Sequence, residues 1–358
     1  MQTVHFIYTV PTSTNPFLYR LDKYANKINL FPPSYRNGND KLISWSQPIY
    51  APHSITYHVL NKLKQAYKVK LYDWRETGTC HLKKDDILLF QPIPDFQKWN
   101  TLGKWEVDKN SLGWKTLQKY PNCKSIVIVP YNHTANESLW LKEIFEKYTQ
   151  QLIVICGDYW TQNWDQSPYG NLVSQPLQVN MGINVDEYSL VKESFNPKGK
   201  RKFLYIGNTN TWKNTIQLEK IASAYPNFEG GYISSGEIKG WKKITNFAHL
   251  TEDLMKELAI EYDFFLNTSS ADAQATTILE QMCFGLGIAC TPESGYSYPS
   301  IIPLDKNDTN FNIQQIELIQ KLSGDELRTM ITQNRQIAAQ NHNWNAITTQ
   351  ILDFIKTI

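Results

Sequence analysis

Short runs of β-branched and aromatic residues alternate with segments of helical period along most of this sequence, and that alternation constrains the fold more than any single motif. Compact apolar runs bounded by turn residues read as strands, and apolar stripes at helical spacing read as helices laid on a sheet. Strict alternation of the two implies parallel strands joined by crossovers, an α/β architecture. In the first half the expected strands are Val4 to Val10, Val69 to Tyr72, Asp86 to Phe90, Ser125 to Val129 and Leu152 to Ile155. A helix is expected after Pro52 with Ser54 as N-cap and an apolar stripe of Ile55, Val59, Leu60 and Leu63, and another over about Ala135 to Tyr148. In the second half the expected strands are Lys202 to Ile206, Phe228 to Tyr232, Ile244 to Phe247, Asp263 to Asn267 and Gly287 to Thr291. Helices are expected near Asn214 to Tyr225, Glu252 to Glu261, Thr276 to Phe284, Asn312 to Leu322, Gly324 to Gln340 and Asn343 to Thr357. With 358 residues, the chain has room for two such units of about 100–200 residues each. The polar, basic stretch from Ser189 to Arg201 reads as the linker between them.

Residues 11 to 51 form a segment rich in Pro, Tyr, Asn and Ser that is far longer than an ordinary βα connection. It reads equally as a loop overhanging a cleft or as a surface insertion. Lys plus Arg number 36 against 34 for Asp plus Glu, so no general nucleic-acid binding is expected. Five cysteines without CxxC or CxxH spacing suggest neither a disulfide framework nor a zinc site, and they suit a reducing cytosol. The first residues lack a basic n-region, and no run approaches 18 apolar residues. A soluble cytoplasmic protein is the expectation, with peripheral membrane contact left open.

The stretch Ala271 to Thr291 carries the most chemistry. Asp272 precedes Glu280 by eight residues, about 12 Å if the intervening backbone is helical, roughly the reach of a nucleotide diphosphate sugar. A pyrophosphate over the N–H groups of Ala275, Thr276 and Thr277 would be favoured by the helix dipole. Glu280 would then accept hydrogen bonds from ribose hydroxyls and Asp272 would face the sugar. The plainer reading makes Asp272 a helix starter and puts Glu280 on a solvated face.

Asp272-x7-Glu280-Gln-Met-x2-Gly resembles the Glu-x7-Glu motif of retaining GT-B glycosyltransferases, glycosyltransferase family 4 or "group 1". Phe203 to Gly207 followed by Lys213, Val179 to Asp186, and His342-Asn-Trp344 are similar to further segments of that family, so the resemblance spans about residues 177 to 358. It implies a GT-B fold, two Rossmann-like domains facing across a cleft, with a C-terminal helix crossing back to the N-terminal domain. The implied domains are 1–190 for the acceptor, 191–340 for the donor, and 341–358 for the terminal helix. By the same resemblance Gly207 and Asn208 lie beside the donor phosphates, Lys213 neutralises the diphosphate leaving group, Glu280 holds the ribose and Asp272 contacts the sugar. Two departures stand out: Asn208 occupies a position where the family often has Arg, and the first motif carboxylate is Asp rather than Glu.

The first half offers His133, after the strand ending at Val129, where α/β sheets place ligand-binding residues, and the family resemblance implies that it is a catalytic histidine facing the sugar; an ordinary loop histidine fits the same position. Asp158, His53 and Ser54 are weaker cleft candidates. The implied reaction transfers a hexose from a UDP- or GDP-linked sugar to a saccharide, lipid or small-molecule hydroxyl with retention of configuration. No cofactor beyond that co-substrate is implied and, with no Asp-x-Asp motif, no metal. A nucleotide-sugar epimerase of the same fold, a non-catalytic sugar- or nucleotide-binding homologue, and a two-lobed small-molecule binding protein remain alternatives.

Overall fold

Both halves of the alternation become fully parallel six-stranded sheets. The computed structural model describes residues 2–10, 51–74, 76, 78–102, 106–130, 141–149, 151–162, 173, 176–225, 227–246 and 251–358. The chain divides into two compact units, one of Met1–Ile155, Asn163–Val179 and Asn345–Ile358, the other of Cys156–Gln162 and Asn180–Trp344. The chain therefore passes between the units more than once.

In the first unit, β1 (Thr3–Tyr8), β2 (Lys68–Asp73), β3 (Ile87–Phe90), β4 (Lys124–Pro130), β5 (Leu152–Ile155) and β6 (Leu177–Val179) lie in the order β2-β1-β3-β4-β5-β6. Strands β3 and β5 are buried along their whole length, as expected of parallel strands covered on both faces. Helix α1 (Ala51–Leu63) buries the stripe of Ile55, Val59, Leu60 and Leu63. Ser54 is its fourth residue and not its N-cap, because Pro52 sits in the first turn, where its missing N–H costs nothing. Helices α2 (Phe96–Leu102) and α3 (Leu112–Lys119) were not anticipated, while α4 (Lys142–Lys147) is the described part of the expected second helix.

The second unit begins with a short helix, α5 (Asp158–Gln162), contributed by the segment that follows β5. Its sheet contains β7 (Phe203–Ile206), β8 (Gly230–Ile233), β9 (Lys242–Thr245), β10 (Phe264–Asn267), β11 (Gly287–Cys290) and β12 (Ile302–Pro303). Their order is β12-β11-β10-β7-β8-β9, so the winding reverses between β7 and β10. Strand β8 starts at Gly230, later than the expected Phe228, because Phe228 instead stacks on Phe203 with ring centroids 5.0 Å apart. Around the sheet run α6 (Thr215–Ala224), α7 (Glu252–Glu261), α8 (Thr276–Phe284), α9 (Thr309–Lys321) and α10 (Gly324–Asn341). Helix α11 (Trp344–Lys356) follows, and its residues from Asn345 onward group with the first unit. There Lys62 of α1 donates to Asn345 Oδ1 at 3.1 Å, and Ile347, Ile351 and Ile355 are buried.

The expected linker is packed rather than free. Lys192 and Arg201 are buried, which charged side chains tolerate only when paired. The Lys192 ammonium pairs with Asp263 at 3.1 Å and donates to the carbonyls of Ile260 and Tyr262 at 2.9 and 2.7 Å. Burial still lowers its pKa. Arg201 donates to the Leu322 carbonyl at 2.6 Å. Two of the basic residues that marked the segment as a linker instead anchor it, Lys192 beside the strand β10 and Arg201 at the Leu322 carbonyl. Asp263→Ala leaves the Lys192 charge buried and uncompensated, so it should destabilise the second unit by about 3–5 kcal/mol. Urea unfolding checks this, and a loss below about 1 kcal/mol would remove the pair from the account.

Candidate functional site

In an open parallel sheet, the loops at the carboxyl ends of the two strands that flank a reversal of winding diverge and leave a crevice for a ligand. Here those loops follow β7 and β10. Asn214 has φ 51°, a left-handed conformation that asparagine tolerates, and turns the chain from the Thr211–Lys213 3-10 turn into α6. The two loops are tied directly. Ser270 donates its N–H and its hydroxyl to the Trp212 carbonyl at 2.8 and 3.2 Å, and the Thr268 hydroxyl donates to the Asn214 carbonyl at 3.1 Å. This clasp brings Lys213 and Asp272 into an ion pair whose side chains are each less than one-fifth exposed. Two residues 59 positions apart, each singled out in the sequence, thus share one spot.

A third loop, after β11, completes the frame. Its Pro292–Ser294 3-10 turn accepts the Asp272 N–H at the Glu293 carbonyl, 2.8 Å, and the Ala275 N–H at the Ser294 carbonyl, 3.1 Å. The segment Cys156–Gln162 closes on the same place: Gly157 donates to the Ala273 carbonyl at 3.0 Å and the Trp160 indole donates to the Asp272 carbonyl at 2.6 Å. Gly295, at φ 90°, and Gly157 approach so closely that a Cβ on Gly157 would occupy the space of the Gly295 carbonyl. Gln274 accepts from the Met181 N–H and donates to Asn180 Oδ1 at 3.1 Å and the Gly295 carbonyl at 3.3 Å. The 272–275 segment is therefore held from several sides.

That framing corrects two expectations. Residues 272 to 275 are not helical; α8 starts at Thr276 with Ala275 as its N-cap, so the 12 Å spacing drawn from a continuous helix does not apply. The Ala275 N–H is already committed to Ser294 and is unavailable to a ligand. Thr276 and Thr277 keep the first-turn N–H groups that a helix cannot satisfy internally. Helices α7, α9 and α10 are capped by the side chains of Thr251, Asp308 and Ser323, whereas alanine gives α8 no side-chain cap. At its other end Gly285 takes φ 95°, the left-handed stop its position predicts.

Glu280 lies on α8, partly buried, and has no hydrogen-bond or ion-pair partner among the described residues. Burial pushes its carboxyl up to about 7. A carboxylate held this way is an acceptor in need of donors. The sequence also singled out Gly207, but its N–H is bonded to the Ile233 carbonyl at 3.1 Å, and a Cβ there would collide with the Tyr205 hydroxyl. Close packing against Tyr205 thus accounts for that glycine. Asn208 accepts the Asn210 N–H on its own side chain at 3.1 Å, which shapes the loop. His133 lies outside the described residues, as do residues 11 to 50 and 247 to 250. Asp158 is exposed at the start of α5, and His53 and Ser54 lie in the first turn of α1 in the first unit. Sequence reasoning missed Glu293, Lys306, Tyr159 and Asn214. The position of Glu293 just past a strand's carboxyl end was the available signal.

Glu280 gives a pH-dependent prediction. A carboxyl whose folded pKa is raised to about 7 from 4.5 costs stability as pH climbs through that window, because the unfolded chain releases the proton first. Glu280→Gln should therefore raise the melting temperature at pH 8 relative to the parent, with the difference shrinking toward pH 4. A difference that stays constant across this range would contradict the partly buried, unpartnered placement.

Among the described residues no group of three or more His, Cys, Asp or Glu side chains could hold a metal ion, and no helix is long and apolar enough to cross a membrane. No protein-family model and no curated protein matches the chain. Solved structures do. A structure of trehalose-6-phosphate from E. coli bound with UDP-2-fluoro glucose aligns with TM-score 0.58 at 10% identity, over 100% of this chain and 99% of that one. A trehalose-6-phosphate synthase, studied with bisubstrate glycomimetics for glycosyltransfer with retention, aligns with TM-score 0.55 at 11% identity, over 99% and 93%. TarM aligns with TM-score 0.54 at 10% identity, over 76% of this chain and 55% of that one, so the chain spans little more than half of TarM's length. Two parallel six-stranded sheets and these likenesses give the chain the α/β fold of the GT-B glycosyltransferases.

Proposed function

We propose that this protein is a retaining glycosyltransferase that moves a hexose from a UDP- or GDP-linked sugar to the hydroxyl of a saccharide, lipid or small molecule. The observation that carries the reading is the Lys213–Asp272 pair at the reversal point of the second sheet, beside the loop that leads into the uncapped start of α8; the same helix carries the unpartnered carboxyl of Glu280. The diphosphate rests over the Thr276 and Thr277 N–H groups, where the helix dipole favours negative charge. Lys213 exchanges its carboxylate partner for phosphate and stabilises the charge that develops on the leaving diphosphate, where electrostatic stabilisation acts most strongly. This ammonium and the helix terminus supply the positive charge, so the reading needs no metal. Asp272, released from the lysine, faces the sugar.

Glu280 takes the ribose. Vicinal hydroxyls supply the two donors its carboxylate lacks, and charge-assisted bonds of this kind are about twice as strong as neutral ones. Similarity to a structure bound with UDP-2-fluoro glucose supports a nucleotide-sugar donor, and similarity to a synthase studied for glycosyltransfer with retention supports the stereochemistry. A thermal-shift panel of nucleoside diphosphates and their sugars tests the reading. A ligand at 100 times its Kd adds about 2.7 kcal/mol to the folded state, enough for a clear rise in melting temperature. Glu280→Ala and Lys213→Ala should each abolish that rise. Unchanged shifts in both variants would place the donor elsewhere.

A further inference from the structure

A second ion pair adjoins the first. Lys306, in the loop after β12, sets its ammonium 2.9 Å from Glu293 Oε1. Glu293 in turn holds the Asp272 N–H on its main-chain carbonyl at 2.8 Å. The Lys306 carbonyl accepts from the Asn214 side-chain amide at 2.8 Å, so its backbone is bonded to the residue next to Lys213. Lys213, Asp272, Glu293 and Lys306 thus form two cation–carboxylate pairs on loops that hydrogen-bond to one another.

The construction around Lys306 fixes its backbone, and its side chain is the more exposed partner of the pair. Asp305 is bonded at both its N–H and its carbonyl to the buried amide of Asn312, 2.7 and 2.8 Å, and its carboxylate accepts the N–H groups of Asn307 and Asp308. Those bonds hold the Asp305 carboxyl below its ordinary range. The Lys306 side chain is 38% exposed, whereas that of Glu293 is 11% exposed. Glu293 also accepts from the Tyr159 hydroxyl at 3.1 Å, so its carboxylate keeps a donor when the lysine departs. A buried carboxylate with a second partner, facing an ammonium on a rigid loop, is a resting place from which the cation can swing.

We propose that Lys306 is a second cation for the nucleoside diphosphate, docked on Glu293 until the donor binds and then transferred to phosphate. The inference rests on the donor site argued above and deepens it. A diphosphate carries charge on both phosphates, and Lys213 can neutralise only part of it; two ammoniums on adjoining loops match a ligand with two adjacent anionic groups. Glu293 competes with the ligand for Lys306, which sets a threshold favouring diphosphates over monophosphates.

Calorimetric titration of the full chain with UDP, GDP, UMP and GMP tests this. Lys306→Gln should weaken UDP or GDP binding about tenfold while changing UMP or GMP binding much less, so that the preference for the diphosphate shrinks. Glu293→Gln, which removes the competing charge, should tighten diphosphate binding. A loss of folding would weaken all four ligands alike, and melting temperatures identify it. If Lys306→Gln keeps the parent's preference for diphosphates while Lys213→Gln loses it, the proposal is overturned and the donor site stands. If the parent protein binds neither UDP nor GDP, both fall.

Discussion

The ion pair between Lys213 and Asp272 is the interaction that the loops after β7, β10 and β11 are arranged to hold. Both charges are largely removed from water, a placement that is favourable only with close pairing and supporting hydrogen bonds. The support comes from the backbone: loops after β7, β10 and β11 exchange main-chain bonds so that the residues around the pair have few conformations left. Such a frame is expensive in conformational entropy, and it leaves the two side chains as the parts able to respond to an anion. Phosphate offers Lys213 what Asp272 already offers, with more charge.

Glu280 supplies the opposite condition. Where Lys213 has its partner in place, Glu280 is held without one, and desolvation opposes its ionisation. A protein that leaves a carboxyl in this state gives up stability at neutral pH. A ligand that donates two hydroxyl hydrogens removes the imbalance. The proposed donor, anionic at one end and rich in hydroxyls at the other, would satisfy both the paired lysine and the unpaired glutamate.

Much of the fold was legible because it depends on periodicity. The bounds expected for α7 and α8 match those found, and the stripe of Ile55, Val59, Leu60 and Leu63 is buried as read. Strand β12, with two residues, carries no period to read, and β6 takes only three residues of a longer alternating stretch, Leu177 to Val185. Gly230 and Gly231 fall inside the strand expected over Phe228 to Tyr232, and the Trp241 ring and the Tyr262 hydroxyl fill the space a side chain there would need. The basic stretch around Lys192 and Arg201 read as a linker, and composition does not record that Asp263 waits 71 residues on. At the site, Asp272, Lys213 and Glu280 stood out through a resemblance to known motifs, and their residue types suit the chemistry. Lys306 and Glu293 belong to no local pattern; only the order of β10, β11 and β12 in the sheet brings their loops together. The helical spacing assumed between Asp272 and Glu280 failed for a related reason, since tertiary bonds from Glu293 and Ser294 hold residues 272 to 275 out of the helix.

A crystal structure of the chain soaked with UDP or GDP tests the central claim most directly. The account predicts the pyrophosphate over the Thr276 and Thr277 N–H groups, the Lys213 ammonium turned from Asp272 to phosphate, and both ribose hydroxyls on Glu280. A nucleotide bound elsewhere, with Lys213 still on Asp272 and Glu280 still without a partner, would contradict it.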